Sequence, residues 1–265
     1  MSNGLDKNIS GFKKKIKYSR YFNSFYPFIS QPEKKFLIYT KGRTGSTVLT
    51  DLLNSHPEMF CDYEIFNIEN TGTAVRFPML YINSCSKRAA LNKKSVYGFK
   101  VKIEQLKNEH KIKNIENFLQ NLADKDWKII YLKRTNILNH TLSGIISNHS
   151  KIFHLRNGND FKHEKFNVDC RHLLDVMNYF DELDSQEEES LKNIPHLNIG
   201  YESELLDNSS HQSTADKVFA FIGIESFPVN TNLKKILPEN LKEIILNYDE
   251  MYKFISDTKF SKFLS

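Results

Sequence analysis

Lys35-Phe36-Leu37-Ile38-Tyr39-Thr40-Lys41-Gly42-Arg43-Thr44-Gly45-Ser46-Thr47-Val48-Leu49 is the stretch on which the fold turns. A short apolar run, Phe36 to Tyr39, is bounded by charge before it and by a small-residue turn after it. That pattern predicts a strand buried in a parallel sheet. Val48, Leu49, Leu52 and Leu53 follow at helical spacing, so the order is strand, tight loop, helix. Backbone N–H groups converge in such a loop, and the unsatisfied donors and dipole of the helix start favour an anion. Arg43 sets a forked positive charge beside the loop, and Ser46 and Thr47 add hydroxyl donors. The stretch is built to hold a phosphate or a group of that shape.

The loop does not fit a nucleoside triphosphatase. The pattern G-x-x-x-x-G-K-[ST], counted from Gly42, needs Gly and Lys where Thr47 and Val48 stand. No lysine follows Gly42 within the loop to reach terminal phosphates.

Length and composition bound the rest. A chain of 265 residues with 40% hydrophobic and 12% aromatic content buries a large core, within the range of one α/β domain. A net charge of +5 suits an anionic small molecule and falls short of the excess that nucleic-acid binding needs. Cys61, Cys85 and Cys170 are far apart and form no C-x-x-C pair. They read as reduced thiols of a cytoplasmic protein, with no disulfide frame and no metal site. No signal peptide and no membrane-length apolar run is evident. Residues 1–33 form an N-terminal extension before a single domain, 34–265. The extension mixes Lys13-Lys14-Lys15 with Tyr18, Tyr21, Phe22, Phe25, Tyr26 and Phe28. Its aromatics cover the core in one reading and make peripheral contact with a membrane or lipid-linked acceptor in the other. Glu187-Glu188-Glu189 reads as a solvated helix face.

Outward from the loop, the first helix ends at Asn54-Ser55-His56-Pro57, because Pro57 blocks continuation. Glu64 then lies between Tyr63 and Ile65. Bulky apolar neighbours would desolvate it and raise its pKa, which makes it a candidate general base or, more plainly, a surface loop residue. His56 and His140 are the reserve candidates for that proton. Residues 71–94 are poorly periodic and read as a partly helical insert. Residues 95–102 alternate as a strand carrying Lys100, and residues 111–123 put their apolar side chains on one helical face. The stretch Ile129-Ile130-Tyr131-Leu132-Lys133-Arg134-Thr135-Asn136 is a second buried strand, running into a helix with Asn136 near its N-cap. Arg134 therefore sits at a strand's carboxyl end, where open α/β sheets bind ligands, and Ser143 brings a hydroxyl round on the following helix. Residues 166–190 read as a long helix, 197–201 as a strand, and 214–222 as a helix stopped by Gly223.

The run Arg43-Thr44-Gly45-Ser46-Thr47 resembles the 5′-phosphosulfate loop of sulfotransferases that use 3′-phosphoadenosine 5′-phosphosulfate (PAPS). Its continuation through Leu52-Leu53-Asn54-Ser55-His56-Pro57 and Cys61-Asp62-Tyr63-Glu64-Ile65-Phe66 is similar to the bacterial carbohydrate and nodulation-type branch of that family. The resemblance implies an α/β fold, a central parallel sheet flanked by helices, of the P-loop nucleotide-kinase-like sort the family shares. It implies transfer of a sulfuryl group from PAPS to a hydroxyl on a small-molecule or glycan acceptor, leaving 3′-phosphoadenosine 5′-phosphate (PAP) and requiring no metal. It also implies roles. Thr44, Gly45, Ser46 and Thr47 hold the 5′ end with Arg43, and Arg134 with Ser143 holds the 3′-phosphate. Glu64 activates the acceptor, Lys100 faces the sulfonate or the acceptor, and Lys234 or Lys235 reaches the cofactor. Many relatives outside the branch carry Lys where Arg43 stands. Arg43 cannot give up a proton, so it can only stabilise charge. Two alternatives stand beside this reading: a non-catalytic nucleotide-binding module of the same fold, and a P-loop phosphotransferase.

Overall fold

The computed structural model describes residues 22, 28–152, 155–156, 164–234, 237–238 and 240–264. Apart from Phe22 and residues 28–33, the N-terminal extension lies outside them. The central sheet is built on β1 (Lys34–Thr40), whose Phe36, Leu37, Ile38 and Tyr39 have no solvent exposure. It pairs in parallel with β3 (Val96–Lys102) on one side and β4 (Trp127–Lys133) on the other. Outside these lie β2 (Met59–Glu64), beside β3, and β6 (His196–Gly200), beside β4, again parallel. The order is therefore β2-β3-β1-β4-β6, an α/β sheet buried on both faces. A short antiparallel ladder joins β5 (Leu155–Arg156) to β7 (Leu233–Lys234).

Alternation along β1 divides the core. Phe36 and Ile38 face a cluster with Leu49 and Leu52 of α1 (Ser46–Leu53) and with Val218 and Phe219 of α7 (His211–Ile222). Leu37 and Tyr39 face the other side, with Phe99, Trp127 and Ile129 and with Ile82 of α3 (Pro78–Leu91) and Leu119 of α4 (Ile115–Ala123). Gly98 is needed for this packing, since a Cβ there would lie 2.1 Å from the Phe36 ring. A third cluster joins α5 (Ile137–Ser150), α6 (Cys170–Leu191) and α8 (Tyr248–Ser256).

The insert read from residues 71–94 contains one good helix, α3, which Pro78 opens at its first turn. The long helix begins later than expected, at Cys170, where Asp169 accepts from the N–H groups of Arg171 and His172. His172 and Tyr179 are exposed, so its inner stripe runs instead through Leu173, Met177, Leu183, Glu187 and Leu191. The reading of Glu187 as solvated is thereby corrected. Its neighbours Glu188 and Glu189 are exposed, but helical rotation turns Glu187 into the core, where it has no exposure. All three cysteines are free thiols. Among the described residues no helix is long and apolar enough to cross a membrane.

The chain leaves β1 toward β2 at one edge, and leaves β4 toward β6 at the other. The connections thus part between the carboxyl ends of β1 and β4, the place where open α/β sheets form a ligand crevice.

Candidate anion-binding and transfer site

The loop after β1 starts by sending its one lysine inward. Lys41 has no exposure and forms an ion pair with Asp184 of α6, with its ammonium also near the Phe180 ring. Thr44 turns inward too: its hydroxyl meets Thr40 Oγ1 at 2.6 Å and donates to the Lys41 carbonyl at 3.1 Å. Only its backbone is left to face a ligand. The Gly42 carbonyl is held from below, accepting from His140 Nε2 at 2.5 Å. Arg43 and Gly45 both have left-handed backbone, with φ of 64° and 82°. Gly45 is the N-cap of α1 and gives it no side-chain cap, so the first N–H groups of the helix point out of the loop. A Cβ on Gly45 would lie 2.6 Å from the Tyr201 ring, so glycine is required here on both counts.

Around this nest the structure brings together residues that lie far apart in sequence. Arg43 donates to Ser143 Oγ of α5 from Nη2 at 3.2 Å and from Nε at 3.4 Å. Arg134, at the end of β4, is 4% exposed and donates from Nη1 to the Arg43 carbonyl at 3.1 Å. Its guanidinium lies over the Tyr201 ring, 4.5 Å from the centroid. Burial lowers the pKa of both arginines, and Arg134 lowers that of Arg43 further by like charge. Both stay ionised because the arginine pKa starts so high. Two confined guanidinium groups at a helix start form a strong site for an anion.

Glu202 sets this corner. Its carboxylate accepts from Thr135 N and Asn136 N, both at 3.0 Å, and lies 3.9 Å from Arg134 Nε. Tyr201 packs against the Arg134 guanidinium, and Glu202 satisfies the backbone donors that lead into α5. Asn136 caps α5 as expected, accepting from Asn139 N at 2.8 Å.

On the other flank, Lys100 lies on an inner strand and is 3% exposed, so it is no edge-strand surface lysine. It donates to Thr47 Oγ1 at 2.9 Å and lies 3.4 Å from Glu64 Oε1. Glu64 ends β2, with Lys102 Nζ 3.0 Å and Gln105 Nε2 2.8 Å from its Oε2. The expected rise in its pKa is overturned. Burial does push the carboxyl upward, but the Lys102 and Lys100 ammonium groups together outweigh burial and hold it below its ordinary value. Burial lowers the Lys100 pKa, aided by Lys102 and opposed by Glu64.

The reserve bases are both structural. His56 is buried, accepts from Glu58 N at 3.2 Å, and touches the rings of Phe219 and Phe227. His140 is stacked on Phe180 beneath the loop, and burial holds its pKa well below the ordinary histidine value. Ser46 is buried at the start of α1. Lys234 is exposed on β7, and Lys235 lies outside the described residues. Lys102 and Gln105, which contact the Glu64 carboxylate, were not among the candidates read from the sequence. Lys102 had a signal, since alternation on β3 puts it on the same face as Lys100. Gln105 had none.

No family model matches the chain, and no curated protein matches it. Among solved structures it is similar to the crystal structure of a sulfotransferase from Alicyclobacillus acidocaldarius, with 13% identity and a TM-score of 0.48. The match covers 86% of this chain and 95% of that one.

Proposed function

We propose that this chain is a sulfotransferase that moves the sulfuryl group of PAPS to an acceptor hydroxyl, with a carbohydrate or glycolipid as the acceptor class. The observation that carries the reading is the pairing of two features around α1. One is the Arg43–Ser143–Arg134 corner, with two cations and a hydroxyl. The other is an ionised carboxylate, Glu64, joined through Lys100 to Thr47 in the first turn of the same helix. A simple anion trap would need the first feature and not the second.

In this reading the loop amides, Arg43, Ser46 and Thr47 hold the 5′ end of PAPS, and Arg134 with Ser143 holds the 3′-phosphate. PAPS supplies the sulfuryl group. Glu64 takes the proton of the acceptor hydroxyl while its oxygen bonds to sulfur. The bond from sulfur to the phosphate oxygen breaks, and its electron pair leaves on that oxygen. Charge therefore grows at the leaving group, where Arg43, Lys100 and the helix start stabilise it, as in phosphoryl transfer. The low pKa of Glu64 keeps it ionised and ready to accept a proton across the neutral range. The inward ion pair of Lys41 leaves no loop lysine to act as in a phosphotransferase, which supports transfer of sulfuryl over phosphoryl.

Ligand-dependent heat stability tests the cofactor. PAP should raise the melting temperature well above the effect of ATP with magnesium at matched concentration, because PAP carries a phosphate at both its 3′ and 5′ positions, one for each arginine, and ATP has none at the 3′ position. Equal protection by both ligands would remove the reason for assigning Arg134 to a 3′-phosphate.

A further inference from the structure

Beside Glu64 lies a short π-helical turn, Gln105–Glu109, a geometry that gathers at functional sites. Its side chains reach back to the segment that follows β2. Gln105 Nε2 donates to Glu64 Oε2 at 2.8 Å, and Gln105 Oε1 accepts from Lys102 N at 3.1 Å. Glu109 accepts from Ile68 N at 2.7 Å. His110, the next residue, accepts from Val75 N at 2.8 Å and meets the Phe66 carbonyl with its other nitrogen. The turn therefore grips the chain from Glu64 to Val75.

Gln105 is 2% exposed, so both ends of its amide must be satisfied within the protein. The Lys102 N–H is a donor and fixes the amide oxygen on its side. The amide NH₂ is thereby forced toward Glu64. The two Glu64 oxygens consequently differ. Oε2 receives both Gln105 at 2.8 Å and Lys102 at 3.0 Å, whereas Oε1 has Lys100 at 3.4 Å. Each carboxylate oxygen offers about two acceptor directions, so Oε2 is filled and Oε1 keeps one open.

We infer that Gln105 is the positioning residue for Glu64: with Lys102 it occupies Oε2 and leaves Oε1 as the oxygen that receives the acceptor's proton. This rests on the reading of Glu64 as the general base. The charged groups facing that carboxylate are Lys100 and Lys102, both from β3, and the Gln105 amide adds the donor from the turn. A donor to the ionised form lowers a carboxyl pKa, so losing it must raise the pKa.

The test follows the Glu64 carboxyl directly, by carbon NMR titration of the full chain labelled at glutamate side-chain carboxyls. The Glu64 resonance is the one absent from Glu64→Gln. In Gln105→Leu its midpoint should rise by about one pH unit, while PAP affinity by calorimetry stays within about threefold of the parent. Gln105→Met keeps the length without the donor and serves if the leucine variant does not fold. An unchanged midpoint in a folded variant would overturn the inference, as would failure of both variants to fold, since Gln105 would then be structural. Transfer from labelled PAPS by Glu64→Gln separates the two levels. Transfer at the parental rate, with the midpoint shifted in the Gln105 variant, would mean that Gln105 orients a carboxylate that is not the base, and that the general-base reading has failed. A midpoint that stays put while Glu64→Gln is inactive would mean that only the Gln105 inference has failed.

Discussion

Arg134 donates from Nη1 to the backbone carbonyl of Arg43 at 3.1 Å, so the guanidinium of one site arginine holds the main chain of the other. Arg43 needs holding, because its φ of 64° is a left-handed conformation that a residue with a Cβ avoids. Such strain costs about 1–3 kcal/mol and persists only where the surroundings enforce it. Arg134 therefore shapes the loop as well as adding charge.

Arg134→Lys tests this double role. Lysine keeps the charge but cannot present a planar fork that meets the Arg43 carbonyl and an anion together. PAP affinity should fall at least about tenfold, a loss of about 1.4 kcal/mol, as read by calorimetry. Parental affinity would reduce Arg134 to a point charge.

Ser143→Ala removes the hydroxyl on which the Arg43 guanidinium rests. A hydrogen bond to a charged group is worth about 1.5–3 kcal/mol, so PAP should bind roughly 10- to 150-fold more weakly. Turnover at saturating PAPS should stay close to the parent, since this contact precedes the chemical step. Separate measurement of binding and of saturated turnover checks both halves.

Gly45→Ala meets two obstacles, the φ of 82° and a Tyr201 ring 2.6 Å from the new Cβ. The loss of stability should exceed about 1 kcal/mol, and PAP binding should weaken with it as the loop shifts. Adding Tyr201→Ala should restore only part of this loss, because removing the ring relieves the clash and leaves the backbone strain. Thermal melts of the single and double variants measure the two costs.

A pH prediction follows from Glu187. Burial, with the Glu104 and Asp184 charges beyond it, pushes its carboxyl pKa well up despite Lys41, and among the described residues its Oε1 has no hydrogen-bond partner. Glu187 thus keeps its proton in the folded chain where the unfolded chain has released it. The unfolded state then binds fewer protons, so stability falls as pH rises above the ordinary carboxylate range. Melting temperatures of the parent and Glu187→Gln across that window should diverge as pH rises, with the glutamine variant losing less. Parallel curves would mean that Glu187 is ionised in the fold.

The loop and sheet were legible because their signals are local. Phe36 to Tyr39 is a run that only a strand buried on both faces accommodates, and Gly45 marks a turn by its lack of a side chain. Arg43 was read from the loop pattern, Arg134 from its place at a strand end, and Glu64 from its bulky neighbours together with the resemblance. What was missed depends on rotation and on distant neighbours. Glu187 looks no different from Glu188 until the helix is docked. The direction of the Glu64 shift turns on Lys100 and Lys102, whose approach comes from the pairing of β2 with β3. Gln105 acts through a turn that no periodicity announces.

Sulfuryl transfer itself is measured most directly by mass spectrometry of extracts incubated with the protein and isotopically labelled PAPS, run in parallel with Glu64→Gln. Glutamine keeps the shape of Glu64 and loses the proton acceptor. The expected result is a labelled sulfated product in the parent reaction, formed on the order of 10²–10⁴ times more slowly by the variant, with PAP affinity close to the parent's. No labelled product from a parent chain that binds PAP would contradict the account and leave a nucleotide-binding module without transfer.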